Sequence, residues 1–268
     1  MSLVPRLVTS RSNPLLVSLR KLAADPAGYR RLGLMLLEGE HLCSAWLVKR
    51  RGPVLHALVL EGEAERPALR ALLATADDAV VVSSSAMSGV SMLETPPSIA
   101  FVVPAPEAGI VRPGEPTLVL DRLQDPGNAG ALLRSAAAFG CTQVVALAGT
   151  TALWAPKVVR AGMGAHFALH LVELAGTDDL DSLGVPLLAT SSHAGQAIDA
   201  VGLPWPCAWV LGHEGQGVAP LLAARCELHL RIPQPGGEES LNVAAAGAVC
   251  LYESARQRAS APITKATP

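Results

Sequence analysis

Apolar residues come along this chain as short runs separated by turns rich in glycine, proline and charge, and the runs form two series. In the first, residues 34–37, 54–60, 79–82 and 99–103 predict strands, with helices around 15–24, 40–50 and 64–74. The second is more regular. Strand-like runs at 117–120, 143–147, 166–172, 186–190, 207–211 and 227–232 alternate with helix-like stretches at 129–139, 156–161, 218–224 and 241–256. Such alternation implies a parallel sheet covered by helices. Between the series, Pro104, Pro106, Gly109, Pro113, Gly114 and Pro116 have the composition of a connection. The expected organisation is an α/β domain over 1–105, a linker over 106–116, a second α/β domain over 117–259 and a disordered tail over 260–268. The helix over 129–139 is well punctuated, with Asn128 as its expected N-cap and Gly140 where a helix ends in the left-handed conformation.

The 268 residues are 50% hydrophobic, ample for a core, yet no uninterrupted run reaches the about 20 apolar residues of a membrane helix. Pro5, Arg6 and Arg11 leave the N-terminus without the apolar centre of a signal peptide, so a soluble, cytoplasmic protein is expected. Cys43, Cys141, Cys207, Cys226 and Cys250 are odd in number and never spaced as CxxC, and read as small buried hydrophobes rather than zinc ligands or disulfides. Charge is unevenly spread. Residues 1–51 hold nine Lys or Arg against three acids, a net of +6, which leaves −8 for the rest because the whole chain is −2. A basic arm on a mildly acidic body suits an anionic polymer, and equally a solvated helix face.

Three glycine turns follow predicted strands, where parallel sheets place their sites. The first leaves a strand at Asp121, turns at Asp125, Pro126 and Gly127, and carries Arg134 in a helix otherwise of Ala, Leu and Gly. That guanidinium needs water, an acid such as Asp121 or Asp125, or a ligand. The second runs Gly212, His213, Glu214, Gly215, Gln216, Gly217, lacking both the phosphate loop's Lys-Ser/Thr and the dinucleotide fingerprint. The third runs Ile232, Pro233, Gln234, Pro235, Gly236, Gly237, Glu238, Glu239, Ser240, Leu241, Asn242. Ser240 reads as a helix N-cap with the acids favoured by the helix dipole, an account that leaves Asn242 unexplained.

Together these residues resemble the SpoU (TrmH) family of RNA ribose methyltransferases in the SPOUT superfamily. The match runs in order through Asp125-Pro126, Asn128, Gly130-Ala131 and Arg134-Ser135-Ala136, then Gly212, Glu214-Gly215 and Gly217, then Ile232-Pro233 and Glu239-Ser240-Leu241-Asn242-Val243. The basic, small-residue segment from Lys157 to Ala165 is similar to one in the family. Thr9 to Pro14 with Leu36 to Glu40 looks like its substrate-binding domain. His213 stands where the family more often has Asn or Ser.

The resemblance implies a fold of two parts: a SPOUT-type α/β knot, a parallel sheet with a trefoil knot, preceded by a small ribosomal-protein-like α/β domain that binds RNA. It implies a homodimer, with each active site near the subunit interface, and S-adenosyl-L-methionine held by Thr190, Leu211, Gly212, Ile232 and Leu241, mainly through backbone. The implied reaction is 2′-O-methylation of ribose in structured RNA, ribosomal in preference to transfer RNA, with no metal and no membrane. Arg134 would be essential, as an alkoxide and phosphate stabiliser in preference to a base, because a guanidinium is effectively always charged. Asn128 and Asn242 would fix the ribose or Arg134, Glu214 would orient Arg134, and Ser240 would complete the turn. Arg11, Asn13, Arg20, Lys21, Arg30, Arg31, Lys157 and Arg160 would contact RNA. The competing readings are a non-catalytic RNA-binding or ribosome-assembly factor on the same fold, and a base-methylating SPOUT relative.

Overall fold

The structure, a computed structural model, describes residues 6–49, 52–91, 93–191, 195–236 and 240–260. Glu238, Glu239 and the tail from 261 onward lie outside the described residues. The chain begins β1 (Arg6–Val8), α1 (Pro14–Ala24), α2 (Gly28–Leu32), β2 (Leu34–Glu38), α3 (Glu40–Lys49), β3 (Val54–Leu60), α4 (Pro67–Leu73), β4 (Ala76–Val82), α5 (Ser84–Ser88) and β5 (Ile99–Pro104). It continues β6 (Thr117–Leu120), α6 (Pro126–Ala138), β7 (Gln143–Leu147), α7 (Pro156–Gly162), β8 (His170–Ala175), β9 (Leu187–Thr190) and β10 (Gln196–Ala197). It closes with β11 (Ala208–Leu211), α8 (Pro220–Ala223), β12 (Leu228–Arg231) and α9 (Val243–Ser260). The elements form two compact units, and sequence order does not separate them cleanly. Ala152–Ala168, with α7, belongs to the first unit together with the described residues up to Glu107; Ala108–Thr151 and the described residues from Leu169 form the second.

The first unit is built on a mixed sheet ordered β1-β4-β3-β5-β2. Strand β5 runs antiparallel to both neighbours, and Ile99 to Val103 are all buried, as a strand covered on two faces requires. Helix α1 follows from its sequence: Pro14 takes the first turn, Asn13 accepts from the Leu15 amide at 3.0 Å, and Leu16, Leu19 and Leu22 recur on one buried face. In α7 the buried Val158 and Val159 alternate with exposed Lys157 and Arg160. Residues 166–172, expected as one strand, divide instead. Ala165–Ala168 is a 3₁₀ turn in the first unit, and β8 begins at His170 in the second. The cause is local: Met163 and Gly164 both take positive φ, and His166 is buried against Trp154, with its Nε2 on the Leu153 carbonyl at 2.9 Å.

The second unit holds a sheet ordered β10-β12-β9-β11-β6-β7-β8, and every pairing in it is parallel. Its central strands are apolar on both faces; all four residues of β6 and of β11 are buried. Helices α6 and α9 pack on each other. Gly247 permits the contact, since a Cβ there would sit 2.3 Å from Leu132 Cδ2 and 2.6 Å from Leu211 Cδ1. Trp209 of β11 donates to Ser254 Oγ of α9 at 2.9 Å in the core. Because β12, β9, β11 and β6 are adjacent and parallel, the loops after them emerge side by side at the carboxyl edge, where the three glycine turns meet. All five cysteines are free and buried, which pushes their thiol pKa values upward.

Candidate active site

The turn after β6 is pinned from both ends. Asp121 is 3% exposed and accepts from the Ala219 amide at 2.7 Å, which ties it to the far side of the second glycine turn. Asp125, not Asn128, caps α6: its Oδ1 accepts from the Asn128 amide at 2.7 Å, and Pro126 supplies the preset first turn. Gly140 takes φ +92° just past the helix, as its sequence predicts.

The turn after β11 is a closed hairpin of its own. His213 and Gly217 exchange backbone bonds at 3.0 and 2.8 Å, and Gly217 takes φ +67°. Gly212 admits nothing larger, since a Cβ would lie 2.1 Å from the Gly217 carbonyl carbon and from the Val218 nitrogen. The His213 ring folds onto its own loop, its Nδ1 3.0 Å from the Gly215 amide. An amide can only donate, so Nδ1 accepts and the ring proton of a neutral His213 sits on Nε2.

Glu214 leaves this loop and reaches the first turn. Its carboxylate accepts from the Gln124 amide at 3.3 Å, the Asp125 amide at 3.0 Å and Asn128 Nδ2 at 3.2 Å. Partial burial pushes its pKa up, but the Asp125 amide, the Glu214 amide, Asn128 and the Gln124 amide outweigh that and hold it below the usual carboxylate value. Asn128 Oδ1 in turn accepts from Asn242 Nδ2 at 3.0 Å. Asn242 Oδ1 takes the Ala244 and Ala245 amides at 2.9 and 3.2 Å, so Asn242, not Ser240, is the N-cap of α9. The sequence Asn242, Asn128, Glu214 therefore joins one residue from each glycine turn.

A cavity of about 620 Å³ opens beside this chain of bonds. Its apolar wall includes Ala189, Val218, Ile232, Leu241 and Ala246; Thr190, Ser191, Gly212, His213, Glu214 and Ser240 add polar groups and backbone. Gln234 lies in the wall with its Oε1 buried and without a partner among the described residues. That atom can only accept, so it is matched by a ligand carrying an amine or hydroxyl.

Residues 115–252 match the SpoU rRNA Methylase family. The chain belongs to that family. It is 34% identical over 220 residues to the 23S rRNA (guanosine(2553)-2′-O)-methyltransferase RlmP of Bacillus subtilis, covering 81% of this chain and 86% of that protein. The AdoMet-bound rRNA methyltransferase of Sinorhizobium meliloti superposes with TM-score 0.81 at 25% identity, over 94% of this chain and 97% of that one. The SpoU methyltransferase AviRb of Streptomyces viridochromogenes shares the fold with TM-score 0.84 at 24% identity, over 93% and 100% of the two chains. The fold is thus the α/β knot of SpoU methyltransferases.

Of the residues expected in the site, the structure gathers Thr190, Gly212, Glu214, Ile232, Ser240 and Leu241 on one cavity and places Asn128 and Asn242 in hydrogen-bond contact with each other. Leu211 is 1% exposed and reaches α9 at Gly247 rather than the cavity wall. Arg134 is exposed on α6 and bonds to no described residue. Asp121 and Asp125 are engaged elsewhere, and Glu214 holds the α6 N-terminus instead of orienting Arg134. In the first unit, Asn13 is the α1 cap, Arg31 pairs with Asp25 at 3.1 Å, Arg20 donates to the Arg11 carbonyl and Arg30 lies 5.3 Å over the Tyr29 ring. Arg11, Lys21, Lys157 and Arg160 are exposed. Sequence reasoning missed Arg122, Gln216, His229 and Gln234. Of these, Gln216 and Gln234 stood in the quoted glycine turns, where Gln216 is distinguished by its bond from Arg122 and Gln234 by its buried Oε1.

Proposed function

We propose that this protein methylates the 2′-hydroxyl of a ribose in RNA, ribosomal RNA above transfer RNA, with S-adenosyl-L-methionine as donor. The observation that carries the reading is the convergence of three separated turns, through Asn242, Asn128 and Glu214, on one cavity. The cavity fits the cofactor. Its apolar wall suits a purine face, and the orphaned Gln234 Oε1 suits the amine and hydroxyls of an adenosine. Thr190, the backbone of Gly212 to Gly217, Ile232 and Leu241 would hold it. When bound, the cofactor supplies an activated methyl on a sulfonium.

What remains for the protein is to place the acceptor and handle its proton. Arg134 is free to meet RNA because no described side chain engages it. Its guanidinium stabilises negative charge developing on the ribose oxygen and grips the adjacent phosphate, while the proton leaves to phosphate or water. Asn128 and Asn242 keep the start of α6 and of α9 in register, so that Arg134 is carried on a fixed helix. All eight candidate RNA contacts, Lys157 and Arg160 included, belong to the first unit. That common membership supports the first unit as the part that grips RNA.

The exposed stripes of the second unit support a dimer with another copy of this chain. On α6 the exposed residues are Gly127, Arg134 and Ala138, with Ala131 half-buried between them; on α9 they are Ala245, Val249 and Tyr252, and Tyr252 meets Phe139 edge-on at 5.8 Å. Tyr252 and Arg134 are of the aromatic and arginine types that interfaces between protomers favour. The function is tested by incorporation of labelled methyl into unmodified ribosomal RNA, followed by alkaline hydrolysis. Label in hydrolysis-resistant dinucleotides, lost in Arg134→Ala, is the expected result. Label released as mononucleotides would mean a base target, and no label with no cofactor binding would mean a non-catalytic factor.

A further inference from the structure

Arg122 has a backbone conformation that its side chain does not favour. Its φ is +57°, in the left-handed region that non-glycine residues rarely occupy. Such a residue persists where its surroundings over-determine it, and clusters at functional sites. Here every polar arm of the guanidinium is used. Nε and Nη2 donate to the two oxygens of Asp121 at 3.0 and 3.2 Å, Nη1 donates to Gln216 Oε1 at 3.0 Å, and Nη2 also reaches the Gly217 carbonyl at 3.4 Å. The backbone is held as well, since Gln124 Nε2 donates to the Arg122 carbonyl at 3.1 Å. Gly149, at φ +90°, leaves room for the aliphatic stem, where its Cβ would lie 3.3 Å from Arg122 Cγ.

The partners identify what the clamp controls. Gln216 and Gly217 line the cavity assigned above to the cofactor, whereas Arg122 does not. We infer that Arg122 is a positioning residue, whose fork holds the 213–217 loop in its ligand-binding shape from outside the cavity. This rests on the reading of that cavity as the S-adenosylmethionine site. Lysine cannot substitute, because a single ammonium has no fork to span Asp121, Gln216 and the Gly217 carbonyl together.

The test uses Arg122→Gly, which relieves the backbone conformation while removing the clamp, and Arg122→Lys, which keeps the stem and charge. Calorimetry with S-adenosylhomocysteine reports affinity, thermal melting reports the fold, and hydrogen exchange at the Gly217 amide of the ligand-free full chain reports the loop. Both variants are expected to stay folded at the assay temperature, Arg122→Gly with a lower melting temperature because buried Asp121 loses its cation. Both are expected to bind about tenfold or more weakly, with faster exchange at Gly217. In turnover, KM for the cofactor rises while kcat holds. Wild-type affinity and exchange in either folded variant would overturn the inference. Loss of affinity only in proportion to a lost fold would overturn it too, by making Arg122 a stability residue. A wild-type protein that fails to bind S-adenosylhomocysteine would instead remove the cofactor reading on which the inference depends.

Discussion

Asn242 donates to Asn128 at 3.0 Å across 114 positions of chain, and the same side chain caps α9 through its other atom. One amide thus does two separable things: Oδ1 ends a helix and Nδ2 closes the contact between two turns. Helix capping and site geometry are coupled through that residue.

Asn242→Asp should separate the two. The carboxylate keeps the cap, so stability should change by less than the about 1 kcal/mol that loss of an N-cap costs. It has no donor for Asn128, so methyl transfer should fall at least tenfold. Asn242→Ala should lose both. Urea melts paired with turnover decide the matter, and wild-type turnover in Asn242→Asp beside a loss in Asn242→Ala would reduce Asn242 to a cap alone.

Arg134→Ala should leave the fold almost untouched, within about 0.5 kcal/mol, because the side chain is exposed and bonds to no described residue. Turnover should drop by about 10²- to 10³-fold, the usual loss when one donor to a developing oxyanion is removed. Affinity for S-adenosylhomocysteine should be unchanged. A parallel fall in cofactor affinity would place Arg134 in the cofactor site instead.

Gly212→Ala forces a methyl to within 2.1 Å of the Gly217 and Val218 backbone, so the loop must open. A cost of about 1–3 kcal/mol is expected, the range for overpacking, together with loss of cofactor binding. Gly236→Ala is the control, since a Cβ there meets nothing within 4 Å. Melting curves and calorimetry on the pair distinguish backbone packing from a general intolerance of the glycine turns.

How much of this was legible beforehand differs by scale. Strands β6, β7, β9 and β11 were readable because continuous apolar runs between turns have few other fates, and the family motifs picked out Asn128, Glu214 and Asn242, which the structure joins by hydrogen bonds. Caps were misassigned. Asp125 and Asn128 are both good cap residues three apart, as are Ser240 and Asn242 two apart, and the choice depends on which amide each oxygen meets in three dimensions. The 166–172 run misled for a related reason: His166 and Phe167 suit a buried strand, but the positive φ at Met163 and Gly164 turns the chain before one can form. Arg122 carried no signal, since nothing in an arginine announces a left-handed backbone.

Acid sensitivity should come partly from His166. Burial holds its pKa down to about 4, only partly offset by the Leu153 carbonyl, whereas an unfolded histidine titrates near 6.5. Between those values the unfolded chain takes up a proton that the native one refuses. The stabilising contribution is therefore whole above about pH 6.5 and drains as pH falls toward 4, by at most about 1.4 kcal/mol per pH unit. His166→Phe should flatten that limb of a stability–pH curve measured in urea. An unchanged slope would assign the acid limb to carboxylates such as Glu214.

Lys157→Ala with Arg160→Ala should weaken RNA binding more at low salt than at high. If each lysine or arginine meets one phosphate, the slope of log affinity against log salt should shrink by about 0.7–0.9 for each charge removed. Filter binding over a salt series measures it. An unchanged slope would take α7 off the RNA face.

The membership of Ala152–Ala168 in the first unit has a consequence for synthesis. A ribosome releasing this chain from the N-terminus delivers everything up to Glu107, then must make the residues of β6, α6 and β7 before α7 appears. Until then the first unit lacks the segment that carries Trp154, Val158, Val159 and Phe167, all buried in the finished protein. The order of birth and the order of completion differ, so the half of the protein that begins first has to wait for part of the half that follows.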